Sequence, residues 1–427
     1  MAMKESGIEW VGLIPDTWSV IPNKYVMHKE KNLCEKWSGE DVMSLTMNGV
    51  IVRDLQNPTG KMPATFDGYQ YIEDGDLLMC LFDIDVTPRC VGKVTHDGVT
   101  SPAYSNFKVH DNASRDYFYY YYLMVDNTKE LLHLAKNLRH SFTEEQLGQL
   151  KVPMPPLSEQ QAIADYLDKT CSKIDEIIAE AKASIDEYKE LKQAVIFEAV
   201  TKGLDKNVEM KDSGVEGMGF IPAKWQVVRF MKVNYVRARL GWKGLKAEEY
   251  VDVGYPFLAA YHIVNGHLCW ENLNCITKER YDESPEIKLS IGDLVLVKDG
   301  AGIGKCARID DMPLGEATVN SSLSVITPNK LLDYRYEYYY FMSPLFQNII
   351  ARLKNGMGVP HLTQESMKDI YLPLPSKNEQ QAIADYLDNK MIGLDSLIAE
   401  KESLINDLEA YKKSLIYEVV TGKRKVV

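Results

Sequence analysis

An internal repeat is the feature that most constrains how this chain can fold. The decapeptide EQQAIADYLD at Glu159–Asp168 recurs letter for letter at Glu379–Asp388, 220 positions later. A second motif, K-x-S-G-x-E-x-x-G-x-I-P-x-x-W, begins at Lys4 and recurs without a gap from Lys211, 207 positions later. Ten identical residues in a row do not arise from composition. The 427 residues are therefore two copies of one unit, about 4–210 and 211–427.

The two copies diverge in their middles. The offset between them grows from 207 to 220, so the second copy has gained residues between the two shared motifs. A common skeleton remains, because short apolar and aromatic runs follow Gly and Asp turns in both copies, which predicts mixed α/β globules with several strands. The matched pairs of segments are Gly75-Asp76 with Gly292-Asp293, Val91-Gly92-Lys93 with Ile303-Gly304-Lys305, and Phe118–Met124 with Tyr336–Met342.

A long helix is expected after each Pro-rich exit. No Gly or Pro occurs from Gln160 to Lys202, and only Gly393 occurs from Gln380 to Thr421. Ser158 and Asn378 are the expected N-caps. Apolar residues step by threes and fours, as in a coiled-coil seam. The expected seam residues are Ile174, Ile177, Ala181, Tyr188, Leu191 and Val195 in the first helix and Leu394, Leu397, Leu404, Leu408, Tyr411 and Leu415 in the second.

The composition excludes several classes of protein. With 61 acidic and 49 basic residues the net charge is −12, which at first sight argues against a nucleic-acid-binding protein. No window approaches about 18 consecutive apolar residues, so no transmembrane helix is expected, and the start MAMKESGIEW does not resemble a secretory signal. Seven cysteines without a C-x-x-C pair fit reduced thiols in a cytoplasmic protein.

Catalytic motifs are missing from the sequence. The glycine-rich segment Asp299–Lys305 fits no phosphate-binding pattern because Cys306 follows the lysine, so we interpret it as a turn between two strands. The tetrapeptide N-P-P-Y and the motif F-x-G-x-G of amino-methyltransferases are absent, as are H-E-x-x-H and G-x-S-x-G. We therefore expect a non-catalytic chain with no catalytic residue and no metal site or cofactor of its own.

Charge counted by region is more informative than the total. Residues 226–247 hold six basic residues and no acid, with Tyr235 and Trp242 between them. Basic side chains with aromatic ones are what phosphate contact and base contact require, although an exposed strand–turn face would have the same pattern. The candidate DNA-binding residues, from this window and from basic turns, are Lys61, Arg89, Lys93, Arg139, His140, Ser141, Arg237, Arg239, Trp242, Lys243, Lys246, Lys305, Arg308, Arg352, Lys354 and Asn355.

The duplicated motifs resemble those of one known family. A tandem unit with K-x-S-G-x-E-x-x-G-x-I-P-x-x-W, a variable globule, P-x-P followed by E-Q-Q, and a long helix is similar to the specificity subunit of bacterial type I restriction–modification enzymes. The resemblance covers essentially the whole chain. It implies an α+β fold in which two mixed α/β target-recognition domains are separated by two long helices packed as an antiparallel coiled coil. The implied boundaries are 1–157 and 207–376 for the domains and 158–206 and 377–427 for the helices.

The resemblance also implies a function. Each domain would read one half of a bipartite, asymmetric site in double-stranded DNA, while the helices set the gap and dock two modification (methyltransferase) subunits, which are joined by restriction subunits. S-adenosylmethionine, ATP and Mg²⁺ would bind to those partners, and no membrane is involved. Candidate subunit-interface residues lie in the repeated helix: Glu159, Gln160, Tyr166, Glu379, Gln380 and Tyr386. The alternatives are a coiled-coil scaffold that binds proteins, which the acidic charge favours, and the DNA-binding part of a methyltransferase fusion.

Overall fold

In the computed structural model, the described residues are 2–58, 60, 62–87, 89–135, 141–239, 245–300, 302–355 and 361–426, without the side chains of residues 354, 355 and 364. The chain divides into two compact units, which are described separately. Unit 1 consists of residues 1–182 and 402–427, and unit 2 of residues 183–401. Both long helices are thus shared between the units, each giving one part to unit 1 and the other to unit 2.

The elements that begin in the first copy are short strands around one helix of aromatic residues, followed by the first long helix. The strands are β1 Met3–Glu5, β2 Leu13–Pro15, β3 Ser19–Pro22, β4 Met27–Glu30, β5 Val42–Thr46, β6 Gly49–Val52, β7 Gln70–Ile72, β8 Leu77–Met79, β9 Val91–Lys93, β10 Gly98–Thr100, β11 Ser105–Val109 and β12 Lys151–Met154. The helices are α1 Arg115–Asn127, α2 Glu130–Leu134, α3 Glu144–Gln149 and α4 Leu157–Lys202, and Asn23–Tyr25 forms a 3-10 turn.

The second copy repeats this order with more short strands. Its strands are β13 Met210–Asp212, β14 Phe220–Pro222, β15 Gln226–Arg229, β16 Asn234–Arg237, β17 Tyr250–Val251, β18 Tyr255–Leu258, β19 Ile263–Val264, β20 His267–Leu268, β21 Cys275–Ile276, β22 Leu294–Val297, β23 Cys306–Arg308, β24 Thr318–Val319, β25 Leu323–Pro328 and β26 Tyr371–Leu374. Its helices are α5 Phe230–Val233, α6 Lys278–Asp282, α7 Tyr334–Met342, α8 Pro344–Asn355, α9 Gln364–Met367 and α10 Lys377–Val420, with 3-10 turns at Ala247–Glu249, Ala260–His262 and Pro285–Ile287.

Each unit contains the same antiparallel four-stranded sheet. Its strand order is β4-β11-β8-β9 in unit 1 and β16-β25-β22-β23 in unit 2. A second, mixed sheet lies in each unit, with order β6-β5-β10-β7 in the first and β17-β21-β18-β24 in the second. The aromatic helices α1 and α7 supply buried tyrosines to the core. The fold class is therefore confirmed, with two mixed α/β domains and two long helices.

The repeated N-terminal segment of each copy packs against the end of a long helix. In unit 1 Trp18 is fully buried and touches Gly422, which follows α10, and in unit 2 Trp225 touches Gly203, which follows α4. Both glycines have positive φ, so the chain can turn where the tryptophan approaches it. The repeated I-P-x-x-W motif thus serves to close a helix end.

Within each unit the two long helices run antiparallel. In unit 2 the last turns of α4, with Ile196 and Val200, share one apolar cluster with the first half of α10, including Ile383 and Leu387. An ion pair joins Lys412 to Asp175 at 2.6 Å in unit 1, and Lys192 bonds to Asp395 in unit 2. These two pairs are the same contact repeated, since the residue numbers differ by 220.

The expected seam was wrong at several positions. Buried or half-buried residues follow a strict heptad at 171, 174, 178, 181, 185, 188, 192, 195 and 199, and 220 positions later in α10. Ile177, Leu191, Leu397, Leu404 and Tyr411 lie one position before this seam and are exposed. The spacing of apolar residues predicted the wrong row because the buried seam includes Cys171 and the two ion-paired lysines, Lys192 and Lys412.

The helix starts also differ from the expectation. Asn378 was expected to be the N-cap of the second long helix, but α10 already begins at Lys377, and Ser376 is its N-cap. Its hydroxyl accepts from Glu379 N, and the Glu379 carboxylate accepts from Ser376 N at 3.1 Å. In α4 the corresponding position is Pro156, whose carbonyl accepts from Gln160 N. Among the described residues, the helices contain no stretch long and apolar enough to cross a bilayer.

Candidate nucleic-acid interface and its attachment to the helices

In each unit the loop that follows the third strand of the four-stranded sheet contacts the segment before a short helix. In unit 1 the loop after β8 meets the segment before α3, where Phe142 N donates to Leu81 O at 2.7 Å. In unit 2 the glycine-rich loop after β22 meets the equivalent segment, where Leu362 N donates to Lys298 O at 2.9 Å and His361 contacts Asp299. The glycine-rich segment is a turn between two strands, as expected.

Several candidate residues lie outside the described residues. They are Lys61, Arg139, His140, Trp242 and Lys243, together with the side chains of Lys354 and Asn355. Ser141 is described and is half-buried at the start of the segment that meets the β8 loop. The DNA-binding prediction for these residues stays a prediction.

Three candidate cations are exposed. Lys246 and Lys305 lie at the surface of unit 2, and among described residues no ion pair joins either one to a carboxylate. Arg352, on α8, is also exposed and pairs with Glu216 at 2.9 Å beside an open cleft of about 650 Å³. Lys305 therefore has the exposed charge that phosphate contact requires, whereas Lys246, also exposed, helps to lower the pKa of the nearby Glu249.

Arg89 is held inside unit 1. Its Nη1 donates to Met47 O at 2.7 Å, its Nε donates to Val91 O at 3.1 Å, and its second amino group bonds to the Tyr119 hydroxyl. This arrangement ties the β5–β6 hairpin, whose tip carries Met47, to the strand β9. Arg89 thus positions a hairpin beside the proposed interface with much of its hydrogen-bonding capacity already used.

Arg237 and Arg239 point into the second domain. The Arg237 side chain is only 14% exposed and donates to Asp293 at 2.8 Å, to Thr327 at 2.7 Å and to Lys288 O at 3.0 Å. Burial and the nearby Arg280 lower the pKa of Arg239, which is also buried. Both central cations of the acid-free window therefore lie inside the domain, and Asp293, which is distant in the sequence, neutralises Arg237.

Lys93 in unit 1 connects its domain to α4. Its ammonium group lies 3.0 Å from Asp168 and 3.2 Å from Asp116, and its side chain is about one-fifth exposed. The Tyr120 hydroxyl donates to the same Asp168 oxygen at 2.7 Å. Burial and the adjacent carboxylate raise the pKa of Tyr120, so the hydroxyl remains a donor.

Unit 2 builds the equivalent cluster with arginines. Arg308 Nη1 donates to Asp388 at 2.7 Å, and the Tyr339 hydroxyl donates to the same oxygen at 2.7 Å. Arg335 adds bonds to Asp388 at 3.3 Å and to Asp385 at 2.6 Å. Although burial opposes it, the bonds to Asp388 and Asp310 raise the pKa of Arg308 further. We call the two arrangements the Asp168 cluster (Lys93, Asp116, Tyr120, Asp168) and the Asp388 cluster (Arg308, Arg335, Tyr339, Asp388).

These clusters correct two alignments made from sequence. Lys93 lies opposite Leu77 in its sheet, and Arg308 lies opposite Leu294, so Lys93 corresponds to Arg308 and not to Lys305. The aromatic run also shifts by one position, since Tyr117 and Tyr336 donate to equivalent carbonyls, those of Val420 and Val200. The loop between β8 and β9 and the loop between β22 and β23 differ in length, so their similar glycine spacing does not mark equivalent positions.

The repeated glutamines are internal. Gln160 is fully buried, accepts from Ser114 N at 2.8 Å at the start of α1, and donates to Pro155 O. Gln380 accepts from Asp333 N at 2.7 Å at the start of α7 and donates to Pro375 O. Each glutamine satisfies a backbone donor at a helix start. Their side chains are therefore used within their own units and are not available to a partner in this conformation.

The other candidate interface residues are more accessible. Tyr386 is exposed, Tyr166 and Glu159 are partly exposed, and Glu379 bonds to Trp225 Nε1 at 3.2 Å. The misassigned seam residues form a second accessible set. Ile177 matches Leu397 and Leu191 matches Tyr411 at an offset of 220, so each helix carries the same exposed apolar stripe.

Sequence reasoning missed Asp168, Asp388, Tyr120 and Tyr339. A signal was available, because both aspartates belong to the identical decapeptide and both tyrosines belong to matched aromatic runs. What the sequence lacked was the distance, since Lys93 and Asp168 are 75 positions apart. Among the described residues, no group of three or more His, Cys, Asp or Glu side chains is placed to hold a metal ion.

The sequence is similar to known specificity subunits. It is 26% identical over 280 residues to the Type I restriction enzyme MjaVIII specificity subunit of Methanocaldococcus jannaschii, covering 65% of this chain and 63% of that subunit. It is 26% identical over 209 residues to the Type I restriction enzyme EcoKI specificity subunit of Escherichia coli strain K12, covering 48% and 44%. The matches thus span less than two thirds of these relatives.

Solved structures share the fold. One similar chain comes from a structure described as "Structural basis underlying complex assembly and conformational transition of the type I R-M system". Its TM-score is 0.72 at 14% identity, and the match covers 96% of this chain and 99% of that one. The HsdS subunit from Thermoanaerobacter tengcongensis has a TM-score of 0.53 at 15% identity, with 96% of this chain and 98% of that one covered. The sequence profile of the family described as "Type I restriction modification DNA specificity domain" matches residues 89–187 and 222–409, more than half of the chain. The chain therefore belongs to the type I restriction–modification DNA specificity domain family.

Proposed function

We propose that this chain is the DNA sequence-recognition subunit of a type I restriction–modification complex. Each recognition domain reads one half of a bipartite, asymmetric site, and the domains extend over 1–157 and 207–376. The observation that carries this proposal is the duplication itself. Each of the two α+β domains has the same four-stranded sheet and is joined to its long helix by the same tyrosine–aspartate bond, but the loops of the two domains differ. Similar frames with different loops suit the reading of two different half-sites.

The DNA contacts are proposed at the loop-bearing ends of the four-stranded sheets. Lys246 and Lys305 supply phosphate contacts in the second domain, because both ammonium groups are exposed. Arg139 and Lys354 remain proposed contacts, because Phe142 and Leu362, which follow them in the sequence, bond to the loops at these ends. Lys93, Arg237 and Arg308 support the domains from within, which refines the list derived from charge alone.

The partner surface is proposed on the long helices. The exposed stripe of Ile177, Leu191, Leu397 and Tyr411, with Tyr386, would dock two modification subunits. Because the stripe is repeated at an offset of 220, it offers exposed apolar side chains at matched positions twice, which fits two copies of one partner. Methyl transfer, translocation and cleavage would then belong to the modification and restriction subunits, with S-adenosylmethionine, ATP and Mg²⁺ bound there.

An electrophoretic shift with the cognate modification subunit tests this function. We expect binding that depends on sequence and weakens with salt, with a slope of about −0.9 in log K against log salt for each phosphate contact. Replacing Lys305 with Met should lower the slope by about one contact without changing the preferred sequence. Binding that ignores sequence would refute the proposal, and Lys330→Met at another exposed lysine serves as a control.

Module exchange tests the assignment of half-sites. Residues 226–370 can be replaced by the corresponding residues of a relative, because β15 and β26 pair with each other at the two ends of this segment. We expect methylation mapping to show one altered half-site and one unchanged half-site. A change in both halves would contradict the division into two independent recognition domains.

A further inference from the structure

Asp168 and Asp388 are the points where each recognition domain is joined to its long helix by charge. Both are the last residue of the repeated decapeptide. In each aspartate one oxygen, Oδ1, accepts a hydrogen bond from a tyrosine hydroxyl at 2.7 Å and another from a basic side chain at 2.7–3.0 Å. The tyrosines come from α1 and α7, and the basic residues come from β9 and β23. One side chain on the helix thus holds both layers of its domain, the sheet and the aromatic helix.

The basic strand of each cluster continues directly from a loop of the proposed interface. Strand β9 follows the loop after β8, and β23 follows the glycine-rich loop after β22. At the start of the aromatic helix, six positions before the tyrosine of the cluster, Gln160 or Gln380 accepts from the backbone N–H of Ser114 or Asp333. Each domain also contacts the end of the other long helix through Tyr117 or Tyr336 and through Trp18 or Trp225. The aspartate contact joins strand β9 or β23 to α4 or α10, so a rotation that moves this strand along its helix requires that contact to break.

We propose that Asp168 and Asp388 are positioning residues that fix the orientation of each recognition domain on its helix and thereby the number of base pairs accepted between the half-sites. The proposal rests on the proposed function. The aspartates do not touch DNA in this account. They act through Lys93 and Tyr120, or through Arg308 and Tyr339, which are about a fifth exposed or less and lie behind the loops.

The two copies build this attachment with different basic residues. Lys93 also pairs with Asp116, and in the second copy Arg308 also pairs with Asp310 and Arg335 with Asp385. Neutralising either aspartate therefore leaves each basic residue with another carboxylate, but removes the bond that joins Lys93 or Arg308 to the long helix. We therefore expect Asp168→Asn and Asp388→Asn to have similar effects. Arg308→Lys should be tolerated, because a lysine does the same work at position 93.

The experiment uses the full chain assembled with its modification subunit. Methylation rates are measured on DNA in which the gap is the preferred length or one base pair longer or shorter, for wild type and the Asp168→Asn, Asp388→Asn, Arg308→Met and Arg308→Lys variants. Asp186→Asn and Asp407→Asn, which change exposed aspartates on α4 and α10, are the matched controls. The preferred bases of each half-site are recorded in the same assay.

We expect Asp388→Asn and Arg308→Met to reduce the preference for the natural gap about tenfold, as the loss of a charged hydrogen bond suggests. The bases read, Arg308→Lys and the controls should remain unchanged. A merely structural role would slow methylation equally at every gap and would overturn the inference, as would an unchanged preference in both variants. If Asp388→Asn does not assemble, the gap preferences of Arg308→Met and Arg308→Lys are compared. A preference lost in Arg308→Met and kept in Arg308→Lys supports the proposal, and equal preferences contradict it. Wild type without a bipartite preference would instead refute the proposed function.

Discussion

Glu337 gives unit 2 a pH dependence that unit 1 does not share. This carboxyl group is fully buried on α7, where one oxygen accepts from Asn234 Nδ2 and the other has no hydrogen-bond partner among the described residues. Burial raises the pKa of Glu337 to about 8, although the Asn234 bond opposes the change. The first copy has Phe118 and Met27 at the matching positions, both buried.

The sign of the effect follows from the two pKa values. Between the ordinary value of 4.5 and about 8, the folded chain keeps this proton and the unfolded chain releases it. The free energy of unfolding of unit 2 therefore falls as pH rises through this window. At about 1.4 kcal/mol for each pH unit, the total loss is about 5 kcal/mol by pH 8, a large share of the stability of a typical domain.

The Glu337→Gln substitution removes the titration while keeping the acceptor for Asn234. We expect urea unfolding between pH 5.5 and 8.5 to show a falling midpoint for the unit 2 transition of wild type. In the variant the midpoint should no longer fall, and it should rise slightly towards pH 6.5 because burial lowers the pKa of His262. The exposed Glu316→Gln should behave like wild type. Equal slopes in wild type and Glu337→Gln would refute the reasoning, as would a pH-dependent transition assigned to unit 1.

Three further outcomes follow from the helices and their ends. Inserting seven residues after both Ala181 and Lys401 adds about 10 Å to each helix, so methylation mapping should show a gap longer by about three base pairs; an unchanged gap in an assembled complex would count against the spacer role. Gly422→Ala would place a methyl group 2.5 Å from Pro15, whereas Gly214→Ala, at a similar φ, meets nothing within 4 Å. The first should therefore cost about 1–3 kcal/mol more in urea unfolding, and equal costs would refute the packing argument. Asp175→Asn should cost less than about 1 kcal/mol because Asp175 is exposed, and a loss above about 2 kcal/mol would contradict this.

The repeat was enough to predict the tandem architecture and the two long helices. Periodicity was less reliable in detail. Ile177 and Leu191 satisfy a three-and-four spacing as well as Ile178 and Ile185 do, and only the packing decides which row is buried. The lysines at 192 and 412 occupy seam positions because an aspartate of the facing helix neutralises each one, and a hydropathy pattern does not contain that information.

Local charge was a weaker guide to the DNA contacts. The window 226–247 contains no acid, yet Arg237 is neutralised by Asp293, which is 56 positions away. Lys93 and Arg308 are likewise neutralised by the repeated aspartates. Charges that face solvent and charges that hold a domain together look alike in sequence, because the difference lies in contacts between residues distant along the chain.

Genome-wide methylation mapping tests the central claim most directly. A host lacking other methyltransferases would express this chain with its modification subunit, and a second host would express the modification subunit alone. We expect methylation only with this chain, at a motif of two different short half-sites separated by a fixed gap of unspecified bases. Methylation at a continuous motif, or methylation that does not require this chain, would contradict the account.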